Sequence, residues 1–466
     1  MNNAPAGVSK VLGVVVEPIP PTTDFLALAD NDPARYPALF QSTARGTPRS
    51  RFNILFAFPQ EAFGLAPGAG SAVSNELPTA DFLGRLDIRW RASAPQICTQ
   101  ETHNLPFAGG WLLYLGYELA GQIEPRLEPL MRDPLLPVAE AVRIPAALIR
   151  DNLYERAWMV CEDQFANDLL PLLRADLRDI QMNEHRLPLA AWSAKEDEPE
   201  RFLAGVHRVQ EYIRAGDVYQ VNLSRRWQAQ LRSAESSTKL FDRLAEANPA
   251  PFAALRQWSR DRAIISSSPE RLVEVRGRHI STRPIAGTFP RSTNATEDTR
   301  LSAALRRHPK ERAEHIMLID LERNDLGRIC RPGSVQVAEL MALESYRHVH
   351  HLVSEIVGTL REEVTPGDVI RAVFPGGTIT GCPKLRCMEI IRELEDAPRG
   401  AYTGALGYLN HNGDLDLNIL IRTLVQDGAN VTLRAGAGIV ADSVPARELE
   451  ETRAKARGML AALGLV

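Results

Sequence analysis

Two pairs of carboxylates have the type and spacing to do chemistry together. Glu311 and Glu314 lie three apart in KERAEHIML, and Glu448 and Glu451 lie three apart in PARELEETRAKA. At that spacing each pair shares one helix face. Four carboxylates on two helices can converge on one hard cation; magnesium suits them, because it prefers oxygen ligands, keeps several waters and takes one or two carboxylates directly. The same spacing also describes a solvated, salt-bridged face, with Glu451 against Lys455. Arg422 is a second candidate. It interrupts the apolar run Asn418 to Leu424 (NILIRTL), which reads as a buried strand, and a buried guanidinium needs a carboxylate from a ligand or from the protein. Gly287 and Thr288 follow RPIA as a loop offering an amide and a hydroxyl. His351, in HHLVSEIVG, adjoins an apolar stretch, where a lone histidine is more often a satisfied core residue than a catalyst.

Two glycine-rich segments imitate phosphate-binding loops. Gly377 to Lys384 (GTITGCPK) has the wrong spacing for a nucleotide loop, and no Ser or Thr follows the lysine. Gly436-Ala437-Gly438 begins like a dinucleotide fingerprint but lacks its third glycine. Both count against a nucleotide enzyme. They describe either tight turns or backbone that approaches a ligand closely and offers N–H groups to an anion.

The elements that must position these residues are those of an ordinary globular chain. At 466 residues, 44% hydrophobic and 24% charged, the chain has enough apolar sequence for a large core and excludes a disordered or disulfide-scaffold protein. Lys+Arg 54 against Asp+Glu 58 leaves a net charge of −4, which gives no general attraction to nucleic acid or an anionic membrane. Five scattered cysteines (Cys98, Cys161, Cys330, Cys382, Cys387) suit a reduced, cytoplasmic setting rather than disulfides or zinc. The N-terminus lacks the pattern of a secretory leader, and VLGVVVEP reads as a strand. Gly109 to Leu119 (GGWLLYLGYEL) is the most apolar stretch and falls well short of the roughly 20 residues of a membrane span.

A charged, proline-containing run from Asn183 to Arg201 follows the helical LLPLLRADLRDI and marks a boundary. It divides the chain into an N-terminal region 1–182, a linker 183–200 and a region 201–460. Phe52 to Ala57 reads as a strand before it. After it, Arg201 to Arg214 and Glu311 to Leu321 read as helices, and Ala263 to Ser266, Leu272 to Val275, Gly404 to Leu409 and Asn430 to Gly436 as strands. Strands and helices do not alternate strictly, so an α+β fold is expected rather than a doubly wound parallel sheet.

Nine strings in fixed order carry a resemblance: SSSPERL, RPIAGTFPR, ERAEHIMLIDLERNDLGR, HHLVSEIVG, FPGGTITGCPKLRCMEII, GAYTGALGYL, LNILIRTL, AGAGIVADS and ELEETRAKA. Over Arg201 to Leu460 they closely resemble the chorismate-utilising enzymes; SRFNILFAFP and GGWLLYLGYEL extend a weaker resemblance into the N-terminal region. NPAPF (Asn248 to Phe252), YQVNL (Tyr219 to Leu223), GCPK and DLDLNILIRT resemble the aminodeoxychorismate synthase component I branch. The runner-up branch is anthranilate synthase component I, which tends to carry NPSPY and GAPK. A catalytically silent, chorismate-sensing paralogue is a third reading, against which Glu270, Gln220 and all four helix carboxylates argue.

The resemblance implies a sandwich of two orthogonal antiparallel sheets with outer helices. It implies that Glu314 and Glu451 bind magnesium directly, with Glu311 and Glu448 holding its waters. Tyr402, Arg422, Gly287, Thr288, Thr378, Gly436, Ala437 and Gly438 match substrate-gripping positions. Glu270 in SSSPERL matches the general acid that protonates the departing C4 hydroxyl, and His351 a further catalytic position. Gln220 stands where water-using relatives carry a lysine base, so it argues for ammonia as nucleophile. No glutaminase elbow is evident, which implies a separate glutamine amidotransferase subunit as ammonia donor. The tryptophan-pocket signature LLES is not evident at Leu26 to Asp30 (LALAD), so tryptophan feedback is not implied. One departure stands out: the PIKGT lysine of many relatives is Ala286 here, which removes the covalent route through that residue.

Overall fold

The computed structural model describes residues 9–11, 13–43, 51–67, 81–93, 105–180, 191–292, 294–346 and 349–465. Among these the chain forms eleven α-helices and two antiparallel sheets, a mixed α+β architecture. One sheet has 13 strands and the other 10. Both draw strands from either side of the 183–200 segment. In the larger sheet Phe252–Ser259 pairs with Ala38–Gln41, and in the smaller Ala405–Asn410 pairs with Gly110–Leu115. Of the segment read as a linker, 183–190 lie outside the described residues. Ala191–Glu196 is a strand paired with Gln220–Leu231, and Pro199 opens the next helix.

Gly110–Leu115 (GWLLYL) is buried at every position, the pattern of a strand covered on both faces. Its apolarity therefore reflects a central sheet position. Val14, Ile54 and Phe56 from one sheet pack with Leu112, Val142 and Tyr408 from the other in one shared core cluster. Among the described residues no helix is long and apolar enough to cross a membrane. The described cysteines, Cys161, Cys330, Cys382 and Cys387, are free; Cys98 lies outside the described residues.

The run Asn418 to Leu424, read as one strand, is two. Leu415–Ile419 belongs to the smaller sheet and Thr423–Asp427 to the larger, and the chain crosses between them at residues 420–422. A matching crossing joins Arg262–Ser268 in the larger sheet to Arg271–Arg276 in the smaller, through Pro269 and Glu270 alone. Because each of these strands pairs with its counterpart across the crossing, the two corners lie side by side. VLGVVVEP likewise divides: Ser9–Val11 and Val14–Ile19 form a hairpin around Gly13, whose φ is +84°.

Candidate active site

The first wall of the site is the helix Pro309–Gly327. His308 caps it, its ring accepting the Glu311 N–H at 3.4 Å, and Pro309 occupies its first turn. Its inward stripe carries His315, Leu318, Glu322 and Asp325, continuing at helical spacing from Glu311 and Glu314. The facing wall is the helix Pro445–Ala462, with Glu448 buried and Glu451 and Lys455 one turn apart along the same face. All four predicted carboxylates face one another. Burial pushes Glu314 up to about 7, with Lys310 opposing and Glu311, Glu448 and Glu451 adding repulsion. Glu448 is also raised, by burial first and by Glu451. Two lysines sit among them: Lys310 lies 3.7 Å from Glu314, and Lys455 pairs with Glu451 at 2.7 Å. The ion pairs of the salt-bridged reading are present, and the mutual repulsion of the carboxylates shows that the two helices bring their charges near one another. Among the described residues no three acidic, His or Cys side chains are grouped closely enough to hold a metal ion.

Glu270 sits at its sheet-crossing corner, 5% exposed. Burial pushes its carboxyl up to about 8; Glu322 adds to the shift, while Thr378, the Ile285 amide and Lys455 oppose it. At neutral pH it is therefore a carboxylic acid, the state a proton donor needs. Thr378 faces this carboxyl, although its buried hydroxyl has no hydrogen bond of normal geometry. Glu322, which sequence reading passed over, is a second buried acid raised to about 7, chiefly by desolvation. Its helical register with Glu311 and Glu314 was the available signal.

Arg422 occupies the neighbouring corner with φ +53°, a left-handed conformation that costs an L-residue about 1 kcal/mol or more. Burial lowers its pKa, opposed by Tyr402 and Glu451, but a guanidinium stays charged through such a shift. Beside it, His351 Nδ1 and Thr288 Oγ1 are 2.8 Å apart. Burial and then Arg422 depress His351 to about 4, so its ring is neutral. It is 6% exposed, and Thr288 Oγ1 is its hydrogen-bond partner. Gly287, at φ +82°, lies so close to Glu311 that a Cβ there would stand 2.9 Å from its Oε2.

The floor is the strand pair Gln220–Leu231 and Asn430–Ile439, in register with Asn222 opposite Gly438 and Ser224 opposite Gly436. Gly436-Ala437-Gly438 is thus strand interior, neither a turn nor an anion loop. A Cβ at Gly438 would lie 2.2 Å from Gln220 Nε2, and one at Gly436 2.5 Å from Asn222 Oδ1 and 2.7 Å from the Tyr402 hydroxyl. The glycines leave room for those three side chains. Ala437 does not join them: it is fully buried on the opposite face among Val221, Leu223 and Ile439, so only its backbone lies in the floor. In GTITGCPK, the Gly381 N–H closes back on Gly377 O at 3.0 Å, and the Lys384 ammonium pairs with Asp325 at 2.5 Å. The segment is a turn through Thr378–Thr380, a short strand at Gly381–Cys382 paired with Gln220 and Val221, and a helix start at Lys384. Lys455 links floor to wall, donating to Gly436 O at 2.9 Å.

Among the buried polar atoms without hydrogen-bond partners, four belong to this site: Gln220 Oε1, Asn222 Oδ1, Thr378 Oγ1 and Glu314 Oε1. A site with a buried acid, a guanidinium, clustered carboxylates and unpartnered acceptors can bind a small polyanion with a cation and protonate its leaving group. A separate cavity of about 1960 Å³, lined in part by Phe40, Phe252, Arg271 and Tyr408, contains none of the predicted site residues.

Comparison with known proteins supplies the chemistry of that polyanion. A family model described as chorismate binding enzyme matches residues 48–461. An anthranilate synthase component I-like protein of Synechocystis is 44% identical over 77% of this chain and 74% of its own length. Aminodeoxychorismate synthase component 1 of Bacillus subtilis is 41% identical over 79% of this chain and 80% of its own. The crystal structure of anthranilate synthase component I from Streptococcus pneumoniae superposes with a TM-score of 0.77, at 33% identity, covering 89% of this chain and 93% of that one.

Proposed function

The chain belongs to the chorismate-binding enzymes, and from that premise we propose that it is the amination subunit of an aminodeoxychorismate synthase. It converts chorismate and ammonia to 4-amino-4-deoxychorismate, the ammonia coming from a separate glutaminase subunit. The observation that carries the reading is the burial of Glu270, which pushes its carboxyl up to about 8, in a site whose floor presents the neutral amides Gln220 and Asn222. An acid is present for the leaving hydroxyl, and no base stands at Gln220 to activate water. Ammonia needs none, because its lone pair is already free.

Arg422, the Tyr402 hydroxyl and the Thr288–His351 pair grip the substrate's carboxylates and hydroxyl. Glu270 then gives its proton to the C4 oxygen, so hydroxide departs as water. Carboxylate oxygens are the donors magnesium prefers, Glu314 has a buried oxygen without a hydrogen bond, and Glu311, Glu448 and Glu451 repel its charge, so a cation drawn in among them would relieve that repulsion. Glu314 and Glu451 would hold it directly, with Glu311 and Glu448 on its waters. A magnesium ion held there would supply charge to neutralise the substrate's ring carboxylate.

The second reading is anthranilate synthase component I. Ala286 and the relatives of that name favour it; the YQVNL, NPAPF and GCPK strings favour the first. Product identification separates them. The purified protein with chorismate, magnesium and ammonium should give para-aminobenzoate only when aminodeoxychorismate lyase is added. Fluorescent anthranilate without the lyase overturns the assignment.

A further inference from the structure

We propose that the side-chain oxygens of Gln220 and Asn222 form the seat that holds the incoming ammonia and aims its lone pair. The inference rests on the amination reading and adds to it a binding site with a second residue, Asn222. Gln220 and Asn222 are two apart on one strand, so their side chains share a face, while Val221 and Leu223 between and beyond them enter the hydrophobic core. They are 8% and 9% exposed, and neither amide oxygen has a hydrogen-bond partner. Asn222 is oriented by its own amide N–H, which donates to Thr378 O at 3.4 Å and turns the oxygen toward Gly436.

An acceptor left unpaired in a protein interior forfeits its hydration without replacement, so two on one strand face call for a ligand rich in donors. Two neighbouring cations are engaged elsewhere. Lys455 is held by Gly436 O and Glu451, and Arg399 by Glu395, Ile379 O and Asn222 O. Chorismate is a dianion whose carboxylates would be repelled by two carbonyl-type oxygens. Ammonia has three N–H donors and one lone pair. Two N–H groups given to Gln220 and Asn222 fix the direction of that pair.

As the C–N bond forms, the electron pair of the breaking C–O bond goes to oxygen, which takes the Glu270 proton and leaves as water. Nitrogen becomes a substituted ammonium, a stronger donor to both oxygens, so the seat favours the transition state over free ammonia. The extra proton on nitrogen then returns to the Glu270 carboxylate. Water in the same seat would have to lose a proton on attack, and neither amide is a base.

The test is steady-state kinetics with ammonium chloride as the nitrogen source. Asn222→Ala and Gln220→Met should each raise KM for ammonium at least tenfold while moving KM for chorismate less than threefold. Unchanged KM for ammonium in a folded variant, or a parallel rise for chorismate, overturns the proposal. In the wild-type protein hydroxylamine should compete with ammonium, and tetramethylammonium, a cation with no N–H, should not. Equal competition by both would mean that charge rather than hydrogen bonding fills the seat. Should wild-type turnover not depend on ammonium at all, the amination reading itself fails, and the seat with it.

Discussion

Glu270 and Arg422 sit on adjacent corners at which paired strands pass from one sheet to the other. The corners are laced together: Ile419 N–H donates to Glu270 O at 3.1 Å, Ser267 N–H to Arg422 O at 3.1 Å, and Ser268 Oγ–H to Ile419 O at 2.5 Å. The proposed proton donor and the guanidinium proposed to bind the substrate's carboxylates are therefore set by backbone ladders of both sheets. Their relative position cannot change without breaking sheet hydrogen bonds, which is the preorganisation that a charge-stabilising site requires.

The left-handed backbone of Arg422 separates its structural cost from its functional use. Glycine adopts φ +53° without penalty, so Arg422→Gly should fold with stability equal to wild type or higher by about 0.5–1 kcal/mol. Its kcat/KM for chorismate should fall by about 30- to 150-fold, the loss of a charge-assisted bond of about 2–3 kcal/mol. Arg422→Lys should recover little of this, because a lysine lacks the planar fork. Thermal melts with steady-state kinetics check both halves; a lysine variant with wild-type kinetics would remove the guanidinium from its assigned role.

Glu270 ties activity and stability to pH in the same direction. Its carboxyl is pushed from 4.5 up to about 8, so the acid form needed for catalysis is lost as pH rises through about 8, and kcat should fall on that limb. Between those values the folded protein holds a proton that the unfolded chain has released, so stability declines as pH rises. Glu118 and Glu322, each raised to about 7, add to the slope. Glu270→Gln should therefore lower kcat by about 10²- to 10⁴-fold and stabilise the protein by about 1–3 kcal/mol at pH 7. Denaturant titrations at pH 5 and pH 8 read the slope; a glutamine variant no more stable than wild type would mean that this carboxyl is ionised in the folded state.

The carboxylate cluster predicts a divalent-metal requirement with unequal contributions from its members. Chelation should abolish turnover and magnesium should restore it. Glu314→Gln and Glu451→Gln, which change the proposed direct ligands, should weaken magnesium by tenfold or more in calorimetric titrations. Glu311→Gln, acting through a coordinated water, should cost less. Turnover that survives exhaustive chelation would assign the cluster to the salt-bridged state it already shows with Lys455.

Much of this site was legible because carboxylates at helical spacing announce a face wherever the helix goes. The strands around Gly404 to Leu409 and Asn430 to Gly436 were legible from apolar runs, and the non-alternating order pointed away from a doubly wound parallel sheet; the antiparallel sheets were implied by the resemblance. What pattern could not give was the sheet crossing at 420–422. NILIRTL is apolar throughout because both of its halves are buried, and burial does not say in which sheet. The same limit hid the face of Ala437. Period two places it opposite Gly436 and Gly438, but only the register against Gln220 and Asn222 tells which face lines the site. Asn222 was passed over for the same reason, since its meaning lies in having Gln220 two residues away on the same face.

On the proposed amination at C4, Ala286 decides the route by which nitrogen arrives. It is 8% exposed between Ile285, whose amide faces Glu270, and Gly287, which abuts Glu311. A methyl group there offers no nucleophile, so ammonia itself must make every new bond. We expect a first ammonia to bond C2 as the C4–O bond breaks and water leaves. A second then bonds C4 as the C2–N bond breaks and the first ammonia departs. Rapid quench with labelled ammonium should catch the 2-amino isomer before the 4-amino product, and intact-protein mass spectra should show no covalent adduct. Ala286→Lys restores an amine between the acid and the carboxylate cluster, so its spectra should show an adduct and its quench less 2-amino isomer. A wild-type time course in which the 4-amino product forms with no earlier species would mean direct attack at C4.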